Sequence, residues 1–402
     1  MNKAKVACVT VVLTLVLLSI AVPPASANPG TRLDSLYAYL NTRYDSANEG
    51  GYSVSGEVIS RIGSTYSALV ALDELGYLAT RPPLIDLVKT KNFTTKVQYE
   101  SSKYEIKNIN YGGWGDTFAV NATTVTTYQA LNLWELLIKH DDIPKMSLLN
   151  IKINEVPVFI NRTHSVSGGF ANRPNGTADV LSTFYALWSL DYVIKKSPQS
   201  NNWTTWLPNP DNTTQWILSC MDGNAFKLSP ASRVTGVTAT AAALMSLKIL
   251  DKLNMLNNTQ GIRDWLLARQ VQTVSVGMHV GGFTEGVATN DTNLMSSYFA
   301  LLGLDALNAL ELVNATGAID FILDCQSADG SWGLVPQMTT GKIGNIGIAI
   351  KALKMLESNV YGLLLEQDPN HPAPSLVDWR VVVIVAVTAT AVIAAVVSVR
   401  RD

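Results

Sequence analysis

The sequence predicts an all-α fold, a two-layer ring of six helix pairs, and three observations predict it. A glycine-aromatic turn recurs six times, as Gly50-Gly51-Tyr52, Gly112-Gly113-Trp114, Gly168-Gly169-Phe170, the degenerate Gly223-Asn224-Ala225-Phe226, Gly281-Gly282-Phe283 and Gly330-Ser331-Trp332. The copies stand roughly 50 to 60 residues apart, the spacing of architectures in which each unit buries its apolar face against the next. Each turn is followed by a helical pattern that opens with small and hydroxyl residues, and most are preceded by an aromatic-led apolar stripe.

The first helix of each pair carries the stripe. Leu33, Leu36, Tyr37 and Leu40 fall at i, i+3, i+4 and i+7, the period of a helix with one buried face. Val158-Phe159-Ile160, Trp216-Ile217-Leu218, Trp265-Leu266-Leu267 and Phe321-Ile322-Leu323 repeat the role. The second helix has the form T-Y-x-A-L: Ser64-Thr65-Tyr66-Ser67-Ala68-Leu69, Thr126-Thr127-Tyr128-Gln129-Ala130-Leu131, Ser182-Thr183-Phe184-Tyr185-Ala186-Leu187 and Ser296-Ser297-Tyr298-Phe299-Ala300-Leu301 align without a gap. Thr240-Ala241-Ala242-Ala243-Leu244 and Ala349-Ile350-Lys351-Ala352-Leu353 are looser copies. Small residues let neighbouring helices approach closely, which places these helices in an inner ring and the aromatic-led ones outside. Glycine supplies the positive φ of a tight reversal, and the aromatic lies back over the pair. Between Lys91 and Tyr111 a polar stretch interrupts the pattern and is expected to form a long surface loop or short hairpin.

Length and composition agree with a single ring domain: 402 residues, 47% of them hydrophobic, suffice for a large core. A net charge of −2 with no Lys/Arg-rich run gives no field for nucleic acid, which is excluded as a partner. Lys3 and Lys5, the apolar run Val6 to Val22 and the small residues Ala25-Ser26-Ala27 predict a signal peptide over 1–27. The ring is expected over 28–365 and a Pro-rich stalk over 366–379. A transmembrane helix is expected over 380–399, where the uncharged run Val381 to Val399 is long enough to cross the ~30 Å hydrocarbon layer. Arg400 and Arg401 then fall in a cytoplasmic tail, 400–402, by the positive-inside rule. The expected protein is a single-pass cell-membrane protein with its N-terminus and ring outside. N-glycosylation sequons at Asn92, Asn121, Asn161, Asn175, Asn202, Asn212, Asn257, Asn290 and Asn314 suit that address and are expected in links between helices. Cys220 and Cys325 lie in repeats that are not neighbours, and both are expected to be small buried hydrophobes.

Phe321-Ile322-Leu323-Asp324-Cys325-Gln326-Ser327-Ala328-Asp329-Gly330-Ser331-Trp332-Gly333 resembles the signature of the prenyltransferase and squalene-cyclase repeat family. The resemblance extends over the six repeats and implies an (α/α)6 toroid whose central cavity often holds an isoprenoid. It also implies where chemistry would sit. Protein prenyltransferases of this type hold zinc with D-x-C before one inner helix and His on a later one. Here Asp179-Val180-Leu181 has Leu for Cys, the later register reads Asn293-Leu294-Met295, and none of His140, His164, His279 and His371 falls in a T-Y-x-A-L register. No D-x-D-D, the acid motif of the cyclase branch, occurs, and Asp141-Asp142 is a lone pair beside a turn. No metal site and no cofactor are therefore expected.

Two sets of residues remain as site candidates. Tyr66, Tyr128, Phe184 and Tyr298 would line a cavity. Asp116 and Glu285, each just after a turn aromatic, are candidate rim carboxylates, which a glycosidase would need within roughly 5 to 10 Å of each other. His164 and Arg173 are placed on the same rim. The expected function is non-catalytic binding of a lipid or isoprenoid, a glycan or a protein ligand at the cavity. The alternative is a divergent enzyme of the same fold, either terpene cyclase or prenyltransferase-like, or a glycan-active hydrolase or lyase.

Overall fold

A computed structural model describes residues 30–47, 50–78, 85–140, 151–197, 206–207, 209–273, 278–287 and 291–370. The expected signal segment, the transmembrane span, most of the stalk, Asp141-Asp142, His371, Asn202 and Asn290 lie outside these residues. Among the described residues no helix is long and apolar enough to cross a membrane. The helices in chain order are α1 Arg32–Asn41, α2 Ile62–Glu74, α3 Leu87–Lys96, α4 Thr124–His140, α5 Val156–Thr163, α6 Val180–Lys196, α7 Pro210–Ser219, α8 Val237–Ile249, α9 Thr259–Leu267, α10 Leu294–Ala306, α11 Ala315–Asp324, α12 Ile343–Leu356 and α13 Val360–Leu364. The chain divides into two units, Leu36–Leu364 and a smaller one whose described parts are 30–35 and 365–370. In the smaller unit Glu366 to Asp368, placed by the sequence in a stalk, run antiparallel to Gly30–Arg32 through a Thr31–Gln367 bridge and an Arg32 N–H donating to Glu366 O at 3.1 Å.

Within Leu36–Leu364 the even-numbered helices close a ring: α2 packs on α4, then α6, α8, α10, α12 and back to α2. From α3 to α11 each odd-numbered helix packs against the even one that follows it, and α13 packs against α12. Small side chains set the spacing. Ala239, Ala241, Ala242 and Ala243 of α8 are buried between neighbours. At the closing contact, Ser67 Oγ on α2 donates to Ile343 O at 2.7 Å and accepts from the Gly347 N–H of α12 at 2.7 Å. A Cβ on Gly347 would stand 2.8 Å from that oxygen, so the close approach requires glycine.

The repeated motif has a hydrogen-bond reason. The N–H of the turn aromatic donates to the hydroxyl three residues into the following inner helix: Tyr52 to Thr65 at 2.9 Å, Trp114 to Thr127 at 3.2 Å, Phe170 to Thr183 at 2.9 Å, Phe226 to Thr240 at 3.0 Å and Phe283 to Ser297 at 3.0 Å. The aromatic is buried, so its amide needs a partner, and the Thr supplies it. The last repeat has Ile346 at that place, and Asn345 Nδ2 donates to Trp332 O instead, at 3.0 Å.

Glycine pairs hold successive repeats together. Gly112, Gly168 and Gly281 have φ of 92°, 110° and 87°. A Cβ on Gly281 would meet Gly317 O of α11 at 1.8 Å, and one on Gly112 would meet Glu155 O just before α5 at 2.0 Å. The second glycine is pressed by the aromatic of the next outer helix, Gly113 by Phe159, Gly169 by Trp216 and Gly282 by Phe321. Each turn therefore seats the following repeat.

Three expectations change. The polar stretch from Lys91 is helical as far as Lys96, because Asp86 caps α3 by accepting the Lys89 N–H and Phe93 is buried; bends and turns follow from Ser101 to the Gln98–Trp114 bridge partner. The turn at Gly223 carries a small antiparallel sheet, β1 Met221–Asp222, β2 Ala225–Lys227 and β3 Thr235–Gly236, paired β1-β2-β3 with Phe226 opposite Met221 and Gly236. Asn92, Asn161 and Asn212 lie on helices rather than in links, and Asn314 is the N-cap of α11, accepting the Gly317 N–H at 3.1 Å. Asn92, Asn161 and Asn314 are still exposed, as are Asn121, Asn175 and Asn257 in links, while Asn212 is half-buried.

Candidate functional site

The first turns of five inner helices, α2 to α10, are fastened to the next repeat. Two residues past a turn aromatic, a backbone carbonyl accepts the first N–H of the preceding inner helix: Asp116 O from Ile62, Asn172 O from Thr124, Leu228 O from Val180, Glu285 O from Val237 and Leu334 O from Leu294, all at 2.7 to 3.0 Å. A helix start leaves four N–H groups unpaired, and these carbonyls take one each.

That register explains both predicted rim carboxylates. α2 and α8 lack an N-cap side chain of their own, and the carboxylates supply it from the neighbouring repeat. Asp116 Oδ1 accepts the Gly63 N–H at 3.0 Å while Oδ2 pairs with Arg61 at 3.0 Å. Glu285 accepts from the Thr238 N–H at 3.1 Å, the Thr238 hydroxyl at 2.9 Å and the Ser296 hydroxyl at 2.7 Å. α2 and α8 stand three places apart in a ring of six, so the two carboxylates sit on opposite sides. His164 is likewise a turn residue, its ring packed 4.6 Å from Phe170 and its Nε2 bonded to Gly168 O at 3.2 Å. Burial holds its pKa below the usual imidazole range.

The aromatic candidates do converge. A cavity of about 740 Å³ is lined by Tyr66, Tyr128, Phe184 and Tyr298, joined by Tyr185 and Phe299. Asp116 reaches its edge with Arg61 and Lys342, and Glu285 is not part of the wall. Tyr128 links the rings of three helices, 6.2 Å from Tyr66, 6.1 Å from Phe184 and 4.9 Å from Tyr185 between centroids. Burial pushes the phenols of Tyr66, Tyr128, Tyr185 and Tyr298 up, so at neutral pH they are uncharged hydroxyls and π faces.

Besides Tyr185 and Phe299, sequence reasoning missed a charged member of the wall, Lys351. It stands on α12 and lines the cavity. Its ammonium donates to the Tyr66 hydroxyl and lies 4.9 Å from the Tyr66 ring centre. Burial alone lowers its pKa, but the oxygens of Tyr128 and Tyr298 and the Glu74 carboxylate outweigh this and leave it raised. The signal was present as a lysine set between Ile350 and Ala352 in a small-residue helix.

The zinc register is occupied by helix caps. Asp179 accepts the Ser182 N–H at 2.7 Å and Asn293 accepts the Ser296 N–H at 2.8 Å, opening α6 and α10. Among the described residues no three His, Cys, Asp or Glu side chains gather as a metal set would require. Cys220 and Cys325 are buried free thiols, and burial pushes Cys220 up to about 12.

The prenyltransferase alpha-alpha toroid domain model matches residues 11–214 and 183–383. The chain belongs to that family. No curated protein matches this toroid. Among solved structures it is similar to a Candida albicans protein geranylgeranyltransferase-I complexed with GGPP, with 16% identity over 77% of this chain and 89% of that one and a TM-score of 0.56. It is also similar to a glycoside hydrolase family 76 mannosidase from Bacteroides thetaiotaomicron, at 9% identity over 81% and 97% with a TM-score of 0.50. A type II terpene cyclase from Scytonema aligns at 11% identity over 81% and 95% with a TM-score of 0.49. At such identities the similarity concerns the fold, and function has to be argued from the site.

Proposed function

We propose that this toroid binds a lipid or isoprenoid in its central cavity without prenyl transfer or cyclisation, and does so outside the cell, held by the C-terminal apolar segment 380–399 after removal of 1–27. The observation that carries this reading is the aromatic cavity with Lys351 in its wall. Six aromatic rings suit an apolar chain, since a ligand pocket is built mostly of such surfaces with few polar groups.

Lys351 also argues against cyclase chemistry. A carbocation about 6 Å from an ammonium would be raised by ~3 kcal/mol at an effective dielectric of ~20. That opposes the stabilisation a cyclisation cavity must give. The cap roles of Asp179 and Asn293 leave the zinc register without ligands for a thiolate-activating metal. Support for the address comes from the apolar end segments of the sequence and from the exposed sequons.

A glycan-active enzyme is the competing reading, and the opposed placement of Asp116 and Glu285 disfavours it. Native mass spectrometry of the full-length protein purified from its own host tests the proposal. A retained lipid-sized adduct is expected. A retained oligosaccharide, or stoichiometric zinc in the purified protein, would overturn it.

A further inference from the structure

The cavity has a charge imbalance that the aromatic lining does not explain. Arg61, at one edge, is engaged by Glu57 at 2.7 Å and Asp116 at 3.0 Å. Lys342, at the start of α12, and Lys351, nine residues and about 13 Å farther along the helix at ~1.5 Å per residue, are the other cations of the wall. An ammonium has three N–H donors. Lys351 uses one on the Tyr66 hydroxyl, and among the described residues no carboxylate lies within ion-pair distance of it. Glu74 acts on it only from farther off. A charge taken from water into such surroundings is costly unless a counter-ion meets it.

We infer that the ligand of this cavity carries one carboxylate, seated on Lys351, with its apolar chain against Tyr128, Phe184 and Tyr298. This rests on the lipid-binding reading above and adds the ligand's charge and orientation. A carboxylate offers two acceptor oxygens and one negative charge. That matches one ammonium with two unused donors, beside uncharged phenols able to donate. A phosphate monoester or diphosphate would bring more charge than a single lysine balances.

The test uses full-length protein in amphipol and isothermal titration with three probes of equal chain: decanoate, 1-decanol and decyl phosphate. Wild type is expected to hold decanoate at least about tenfold tighter than the alcohol and tighter than the phosphate. Lys351→Met should erase the preference for the acid, Lys351→Arg should retain it, and Lys342→Met should reduce it much less than Lys351→Met does. Lys351→Gln repeats the loss if the methionine variant fails to fold. The inference falls if Lys351→Met or Lys351→Gln holds decanoate as wild type does, if the preference follows Lys342, or if decyl phosphate binds best. Alcohol binding with no Lys351 effect sinks the inference alone, whereas absence of binding by all three probes sinks the cavity reading with it.

Discussion

Gly281 and Gly223 occupy corresponding turns and both have positive φ, 87° and 61°, yet they meet different surroundings. Replacing either by Ala forces a Cβ into the left-handed region, at roughly 1–2 kcal/mol. In both variants the stiffer unfolded chain returns about 0.4–1 kcal/mol. The two terms nearly cancel in a comparison. What differs is space: a Cβ on Gly281 stands 1.8 Å from Gly317 O and 2.0 Å from Gly317 C, and one on Gly223 has nothing within 4 Å. Backbone cannot swing aside as a side chain can, so overpacking adds about 1–3 kcal/mol to Gly281→Ala alone. Urea unfolding followed by tryptophan fluorescence should therefore lower the midpoint much more for Gly281→Ala than for Gly223→Ala, with Gly112→Ala close to the former. Equal losses at Gly281 and Gly223 would mean that the turn glycines serve backbone conformation only, and that seating the next repeat is not their role.

Thr183→Val should cost ~1–3 kcal/mol in the same assay, because the Phe170 N–H it serves is buried and would lose its acceptor; Thr183→Ser should restore most of it. Glu285→Ala should destabilise by ~1 kcal/mol through loss of the cap on α8 while leaving ligand retention in native mass spectrometry unchanged. Asp116→Asn keeps an acceptor for the Gly63 N–H and should cost less than Asp116→Ala. Cys220 and Cys325 should resist a thiol reagent at pH 8 in the folded protein and react on unfolding, since burial holds both thiols protonated.

Much of the ring was legible because its determinants are local and repeated. The turn glycines, the aromatics and the Thr of T-Y-x-A-L each appear in several copies, so their spacing alone gave the helix pairs and the inner and outer layers. The polar stretch after Lys91 misled because burial of Phe93 and the Asp86 cap outweigh its composition. Tyr66, Tyr128, Phe184 and Tyr298 were found as cavity residues since they share one register of the inner helices, and a ring brings equal registers to its centre.

The roles of Asp116, Glu285 and Lys351 could not be read the same way. Each depends on a partner far off in the chain, Gly63 for Asp116, Thr238 for Glu285 and Tyr66 for Lys351. The sequence by itself determined the repeat and the layering, because helix period and turn chemistry act over a few residues. Only the tertiary structure decided that two carboxylates are caps and that a lysine stands in an aromatic cavity, because ring closure sets residue 67 beside 347 and residue 66 beside 351.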